Sequence, residues 1–374
     1  MMTAHTDVVG SLLRPPELLQ AREDVAAGHI SQAEFKAIED RAVDEAITLQ
    51  EDAGLEVVTD GEMRRLSFQS QMTEAVEGFG EVDLDAFLWG EWRGDSDMGE
   101  WTLERPEKLG VVSKLKRKRF LSAEEFTYLR SRTTRIPKVT LPSPGLFVNF
   151  WSDEGSISVY PNLDAFLADV VDILRGEVAE LIRLGATYIQ MDAPHYPLLL
   201  DPETRRFYEQ RGSSVEMCLE MDNAVMSSRP SGFPKPGGSE VTFGFHLCRG
   251  NQGSRWLTEG GYDAIARPLF QGIRAQRLLL EYDDARSGSF EPLKEVPQDK
   301  RAVLGLVTTK SPRRETSEEL IARIDEASRF FPREQLALSP QCGFATSIIG
   351  NRISVEDEKY KLRVIAETAR EVWG

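Results

Sequence analysis

The side chains with the most distinctive metal-binding chemistry stand two residues apart, at His246 and Cys248. They end an apolar, β-prone stretch at residues 241–245, and side chains two apart along a strand project to the same face of the sheet. Imidazole and thiolate together suit Zn²⁺. A His-x-Cys pair is also consistent with a core histidine beside an inert thiol. The pair therefore predicts a metal site only if further ligands lie nearby.

Composition narrows the class of protein. The 374 residues are 41% hydrophobic and carry a formal net charge of −16, which argues against binding to nucleic acid or to anionic lipid. A run of about 18 apolar residues and a signal-peptide pattern are both missing, so we expect a cytosolic enzyme acting on small molecules. The three cysteines, Cys218, Cys248 and Cys342, are too few for a disulfide framework and suit ligands, nucleophiles or core packing.

Short β-branched runs alternate with amphipathic segments along the chain, which predicts a parallel sheet covered by helices. The predicted strands are residues 6–9, 56–59, 138–141, 187–191, 241–245, 278–280, 302–307 and 336–338, and the predicted helices include residues 32–53, 164–184, 262–277, 317–329 and 356–372. Eight such units at this length predict a (β/α)₈ TIM barrel. An open, doubly wound sheet is the alternative.

Polar side chains follow the end of nearly every predicted strand, where a barrel places its reactive groups. They are Gly10 and Ser11 with Arg14, Asp60 with Glu62, Asp192 with His195, His246 with Cys248, Glu281, Lys310, and Cys342. We expect these groups to converge at one mouth of a single domain spanning residues 1–374. Two stretches interrupt the pattern. Residues 67–137 are predicted to be an insertion after the second strand that caps the barrel, and residues 227–238 form a loop rich in proline and glycine.

Two further ligands are expected from neighbouring strand ends. Glu281 follows the strand after the one that carries His246 and Cys248, and Cys342 follows the last strand. The resulting His-Cys-Glu-Cys set suits a tetrahedral zinc ion. Cys218 lies in a helical segment away from any strand end and is predicted to pack in the core.

The motifs that carry these residues resemble a known family. In order, they are Gly10-Ser11, Thr59-Asp-Gly-Glu62, Ile189-Gln-Met-Asp-Ala-Pro194, His246-Leu-Cys248, Glu281 and Ser339-Pro-Gln-Cys-Gly343. Their order and rough spacing resemble the catalytic half of cobalamin-independent methionine synthase, and the whole chain looks like the short, single-barrel members of that family. The resemblance implies a zinc ion that binds a thiol substrate, such as homocysteine, and transfer of a methyl or other alkyl group to its sulfur.

The resemblance also assigns roles to individual residues. Gly10, Ser11, Glu62 and Asp192 would hold the amino and carboxylate groups of an amino-acid thiol, and Arg14 is a further candidate for substrate contact. Zinc converts a bound thiol to thiolate at neutral pH. Because four protein ligands would close the site, we expect Glu281 to be the ligand that the thiol replaces.

The sequence departs from the family at two catalytic positions. Ala193 replaces an acidic residue, and Lys310 stands where the synthases carry a histidine that protonates the leaving group. Lys310 and His195 are therefore the candidate proton donors. The N-terminal half that helps the long synthases hold a folate is not expected here, which leaves methyltetrahydrofolate as one candidate donor among others.

Three other functions are alternatives, although the metal-free one would leave His246, Cys248 and Cys342 without a role. A thiol transferase that opens epoxides, similar to epoxyalkane:coenzyme M transferase, would use the same zinc chemistry. A barrel with only a structural zinc, or a metal-free barrel similar to uroporphyrinogen decarboxylase, would perform no thiol activation. The sequence does not decide the oligomeric state.

Overall fold

The computed structural model describes residues 2–82, 84, 91–94, 101–102, 109–228 and 241–374. The strands in this part of the chain are β1 (Val57–Val58), β2 (Val76–Gly80), β3 (Glu91–Trp92), β4 (Trp101–Thr102), β5 (Gly110–Arg117), β6 (Ile136–Pro142), β7 (Tyr188–Asp192), β8 (Thr242–Leu247), β9 (Arg277–Glu281), β10 (Arg301–Val307) and β11 (Leu336–Pro340). Seven of them form one sheet in the order β1-β6-β7-β8-β9-β10-β11, and every neighbouring pair is parallel. The predicted α/β class with a mostly parallel sheet is confirmed.

The first predicted strand, residues 6–9, is reduced to a single parallel bridge between Thr6 and Leu338. On its other side Thr6 is held by the Glu56 carboxylate, which accepts from the Thr6 amide at 3.0 Å, while the Glu56 amide donates to Thr6 Oγ1 at 2.8 Å. Side-chain bonds thus replace the backbone ladder that would define a strand. The segment still lies between β11 and the start of β1, which is consistent with a TIM-barrel-like fold.

Helices cover the strands. They are α1 (Pro16–Ala26), α2 (Gln32–Ala53), α3 (Ser70–Ala75), α4 (Ala123–Arg132), α5 (Leu163–Arg183), α6 (His195–Leu198), α7 (Pro202–Gln210), α8 (Val215–Met226), α9 (Ala266–Gly272), α10 (Ser317–Ala327) and α11 (Val355–Trp373). Helix α2 has the predicted bounds because Ser31 and Glu34 form a capping box at its start. The helix predicted at residues 262–277 is shorter, since the chain turns extended at Ile273 before β9. Among the described residues, no helix is both long and apolar enough to cross a membrane.

The two interrupting stretches are described in part. Within residues 67–137, helix α3 leads into β2, which pairs antiparallel with β5, and β3 pairs with β4. Residues 83, 85–90, 95–100 and 103–108 of this stretch lie outside the described part of the chain, as does the loop expected at residues 227–238 from residue 229 onward. The described residues thus show small antiparallel sheets inserted between β1 and β6.

A buried polar network runs through the middle of the parallel sheet. Asp7 binds Lys138 at 2.8 Å and Arg277 at 3.1 Å. Lys138 also donates to Gln190 Oε1 at 2.6 Å, and Gln190 donates to Asp192 Oδ1 at 2.7 Å. All of these charged groups have a hydrogen-bonded partner, as buried charges require. The network therefore fixes Asp192, at the carboxyl end of β7, from inside the sheet.

A second buried carboxyl predicts how stability depends on pH. Asp222 on α8 accepts hydrogen bonds from Ser143 Oγ and Tyr196 Oη, both at 2.7 Å, and burial raises its pKa to about 7. In the unfolded chain the pKa is about 4. The protonated form therefore stabilises the fold fully below pH ~4, and this contribution is lost as the pH rises through about 7.

Asp222→Asn keeps the side chain neutral at every pH. Relative to wild type, we expect the fall in unfolding free energy between pH 5 and pH 8 to shrink by roughly 2 kcal/mol, measured by urea denaturation. Asp172→Asn is the control, because that side chain is 73% exposed. An equal fall in wild type and Asp222→Asn would show that the buried carboxyl does not titrate in this range.

Candidate active site

A cavity of about 260 Å³ opens at the carboxyl ends of the parallel strands. Its polar lining includes most of the residues singled out from the sequence, namely Gly10, Ser11, Glu62, Asp192, His246, Cys248 and Cys342. Its apolar lining includes Val9, Phe68, Trp92, Leu109, Leu146, Phe150, Pro194 and Leu257. The structure thus brings the strand-end residues to one mouth and adds side chains from the segment between β1 and β6.

His246, Cys248 and Cys342 form a compact group of soft ligand atoms. Each residue offers one ligand atom, and these atoms lie within 4.8 Å of one another. His246 Nδ1 lies 3.3 Å from the Leu279 carbonyl oxygen, and its buried Nε2 has no hydrogen-bond partner. A hydrogen bond from Cys248 lowers the pKa of Cys342 well below its ordinary value. An imidazole nitrogen without a partner beside two sulfurs fits a zinc ion.

Glu281 lies outside this group of three ligands. Its Oε1 binds Lys310 Nζ at 3.0 Å, and its Oε2 accepts from the Arg249 amide at 2.5 Å. Both Glu281 and Lys310 are buried. Ligation by Glu281 therefore stays a prediction, and in the structure both of its carboxylate oxygens are paired, one with Lys310 and one with the Arg249 amide.

Glu62 presents a carboxylate oxygen to the cavity. It has a φ of 56° and follows Gly61 at 68°, a left-handed conformation that is costly for a residue with a side chain and that is often found at functional sites. Glu62 Oε1 accepts from Thr140 Oγ1 at 2.7 Å and Arg65 at 3.2 Å. Its Oε2 is buried without a partner. An unpaired, buried acceptor of this kind suits a ligand with N–H donors.

Gly10 and Asp192 complete this side of the cavity. A Cβ on Gly10 would lie 2.6 Å from Glu62 Oε1, so only glycine lets the Glu62 carboxylate approach the backbone here. Burial raises the pKa of Asp192 to about 7. Two carboxyl groups and the Ser11 hydroxyl thus line the same cavity as the three soft ligand atoms.

Arg14 occupies a position behind the cavity rather than on its wall. Its guanidinium donates to the Ala345 carbonyl at 2.7 Å and to the carbonyls of Glu62 and Arg65, both at 3.1 Å. These bonds tie together the loops after the first segment, β1 and β11. Substrate contact by Arg14 therefore stays a prediction, and its described contacts hold the Glu62 and Cys342 loops in place.

The two candidate proton donors do not line the cavity in the described structure. His195 begins α6 and packs on Tyr196 with ring centroids 4.4 Å apart. Both its ring nitrogens are buried without a partner, and burial lowers its pKa to about 3. Lys310 is engaged by Glu281. A catalytic role for either residue stays a prediction that requires the side chain to move.

Sequence reasoning missed the residues that support the lining. Arg65 joins Glu62 to Glu125, with 2.7 Å between Arg65 Nη2 and Glu125 Oε2, and Gln190 orients Asp192. Gln190 was detectable as a polar residue inside an apolar strand. Arg65 carried no such signal, because its partner Glu125 stands 60 residues away on α4.

Comparisons with known proteins identify the family of the chain. The family described as "Cobalamin-independent synthase, Catalytic domain" matches residues 3–211 and 273–363. The uncharacterized protein YxjH of Bacillus subtilis (strain 168) is 31% identical over 99% of this chain and 94% of its own, and methionine synthase of Pyrococcus abyssi (strain GE5 / Orsay) is 28% identical over 94% and 88%. A crystal structure titled as a putative vitamin-B12 independent methionine synthase from Listeria monocytogenes superposes with a TM-score of 0.71 at 25% identity, covering 100% of both chains. The chain belongs to the cobalamin-independent methionine synthase family and is a methionine synthase-like methyltransferase.

Proposed function

We propose that this protein transfers a methyl or other alkyl group to the sulfur of a thiol such as homocysteine, with zinc activating the thiol. The observation that carries the proposal is the group formed by His246, Cys248 and Cys342 on the wall of a cavity that also presents Ser11, Glu62 and Asp192. Soft metal ligands and an amino-acid-sized polar site thus share one 260 Å³ space.

His246, Cys248 and Cys342 would hold the zinc, and Glu281 is proposed as the fourth, replaceable ligand. Zinc bound there would keep the substrate sulfur deprotonated at neutral pH. The two cysteinate ligands donate charge to the metal, which leaves a bound sulfur more nucleophilic than a site of neutral ligands would. This chemistry requires an open ligand position, in contrast to a structural zinc site.

The amino-acid part of the thiol would lie against Glu62. Glu62 Oε2 is buried without a partner, so an ammonium group would supply the hydrogen bond it lacks. Asp192 faces the same cavity and would add a second acceptor. Ser11 would donate its hydroxyl and amide to the carboxylate, which explains why both acidic and hydroxyl groups line this side.

The alkyl donor would enter against the apolar wall. In the transfer, the substrate sulfur forms a bond to the alkyl carbon, and the bond from that carbon to the donor breaks with its electron pair remaining on the donor. Phe68, Trp92 and Phe150 line this wall and would stack on a flat donor such as methyltetrahydrofolate. Phe68 and Trp92 come from the inserted segment, which we propose caps the barrel mouth.

Zinc-edge X-ray absorption of the purified protein, with and without homocysteine, tests the proposal. We expect about one zinc per chain with two sulfur ligands and one histidine nitrogen, and the gain of a third sulfur at ~2.3 Å when homocysteine is added. The same samples should form methionine when a methyl donor is supplied. A zinc shell that homocysteine leaves unchanged would indicate a structural metal, and protein without zinc would refute the proposal.

A further inference from the structure

We propose that Lys310 is a positioning residue that receives the carboxylate of Glu281 when an incoming thiol displaces it from the metal. This inference rests on the proposed function, in which Glu281 is the replaceable ligand. It assigns to Lys310 a role in ligand exchange, separate from the proton donation expected of that position from the sequence.

The receiving position is fully formed in the structure. Lys310 Nζ lies 3.0 Å from Glu281 Oε1, and the Arg249 amide donates to Glu281 Oε2 at 2.5 Å. The Glu281 and Lys310 side chains are only 1% and 5% exposed. A cation and a backbone N–H thus hold the two carboxylate oxygens, and the pair is shielded from water. Such an arrangement is a defined binding position and not a chance contact at the surface.

Glu281 stands on the strand next to the one that leads to His246 and Cys248. It ends β9, which pairs with β8 so that His246 lies opposite Leu279 and Leu247 opposite Leu280. The Arg249 amide that binds Glu281 follows directly after Cys248. Since Glu281 and Cys248 stand at the adjoining ends of neighbouring strands, the inferred exchange is a rotation of the Glu281 side chain between Lys310 and the group formed by His246, Cys248 and Cys342.

Lys310 has a second buried carboxyl beside it. Asp283 has two buried oxygens without a hydrogen-bond partner, and its negative charge acts on Lys310 together with that of Glu281. When Glu281 binds the metal, Asp283 can compensate the lysine charge. When the thiol displaces Glu281, Lys310 compensates the displaced carboxylate. In that second state Asp283 keeps the charge of Arg286, whose Nη2 lies 3.8 Å from Asp283 Oδ2. Each buried charge therefore retains an opposite charge nearby in both states, which lowers the cost of the exchange.

The substitution Lys310→Met removes the receiving cation. With zinc-loaded protein, we expect the affinity for homocysteine to fall by about 10- to 100-fold and the release of zinc to a chelator to slow, because Glu281 then stays on the metal. The double variant Lys310→Met/Glu281→Gln should recover homocysteine affinity to within about threefold of wild type, since no carboxylate competes with the thiol. Calorimetry measures the affinity, and a colorimetric chelator measures the release.

Lys300→Met is the matched control. Lys300 is a buried lysine at the opposite end of β10, where it donates to the Ala275 carbonyl at 2.7 Å, so its loss should change neither measurement. If Lys310→Met does not fold, Glu281→Gln alone keeps the test: zinc should remain bound but leave faster, and homocysteine should bind at least as tightly as in wild type.

The outcomes separate this inference from the proposed function. If wild type binds zinc and homocysteine and Lys310→Met binds both equally well, the role of Lys310 is overturned and the proposed function is unaffected. Homocysteine affinity that stays weak in the double variant, or that weakens in Glu281→Gln, would overturn it as well. Wild type that binds no zinc would overturn the proposed function and this inference with it.

Discussion

Replacing Cys342 by serine is expected to remove bound zinc and to abolish methyl transfer together. Cys342 is one of three ligand-bearing residues whose atoms lie within 4.8 Å, and serine offers a hydroxyl that zinc binds far more weakly than thiolate. Loss of a residue that merely supports a ligand costs about 10–100-fold in metal affinity, so loss of a ligand should cost more. Zinc content after dialysis and the rate of methionine formation are the two measurements.

Cys218→Ser is the matched control for this experiment. Cys218 is also buried, and its Sγ lies 3.6 Å from Ser213 Oγ. It is not part of the group formed by His246, Cys248 and Cys342. We expect Cys218→Ser to lower thermal stability and to retain a full complement of zinc. A folded Cys342→Ser variant with undiminished zinc and activity would show that His246, Cys248 and Cys342 do not form the reactive centre.

The strand-end residues were predictable because parallel strands impose a simple rule. Side chains that follow the carboxyl ends of parallel strands meet at the same end of the sheet, whatever their separation along the chain. This rule brings His246 and Cys248 to within 4.8 Å of Cys342, about a hundred residues later, and the same rule places Glu62 and Asp192 in one cavity. Hydrophobic periodicity was sufficient to locate seven of the eight predicted strands.

The features that could not be predicted from the sequence are those that depend on which side chains pair with each other. Thr6 meets β1 through the Glu56 side chain instead of a backbone ladder, and periodicity carries no signal for such a contact. Glu281 and Lys310 were assigned separate roles from their positions, whereas the structure pairs them at 3.0 Å. A local sequence pattern predicts where on a strand or loop a residue lies. Which of several nearby groups its side chain then pairs with depends on packing in three dimensions.

Replacing Glu62 by glutamine is expected to weaken homocysteine binding while leaving zinc in place. Glutamine can keep the Oε1 contacts with Thr140 and Arg65, but it replaces the unpartnered Oε2 with an NH₂ group that repels an ammonium. A hydrogen bond between charged groups contributes about 1.5–3 kcal/mol, so the dissociation constant for homocysteine should rise by about 10- to 100-fold. Calorimetry on zinc-loaded protein measures this change.

Comparing thiols with and without an amino group shows whether Glu62→Gln loses the contact with the substrate ammonium. A thiol without an amino group, such as 2-mercaptoethanol, should bind Glu62→Gln and wild type equally, because it makes no contact with this carboxylate. Glu177→Gln is the control for substitution of a buried glutamate, since Glu177 accepts from the amides of Leu121 at 2.7 Å and Ser122 at 2.8 Å. Equal homocysteine affinity in Glu62→Gln and wild type would contradict the assigned role. In that case the left-handed backbone at Glu62, with φ of 56°, would need an explanation other than recognition of the substrate ammonium.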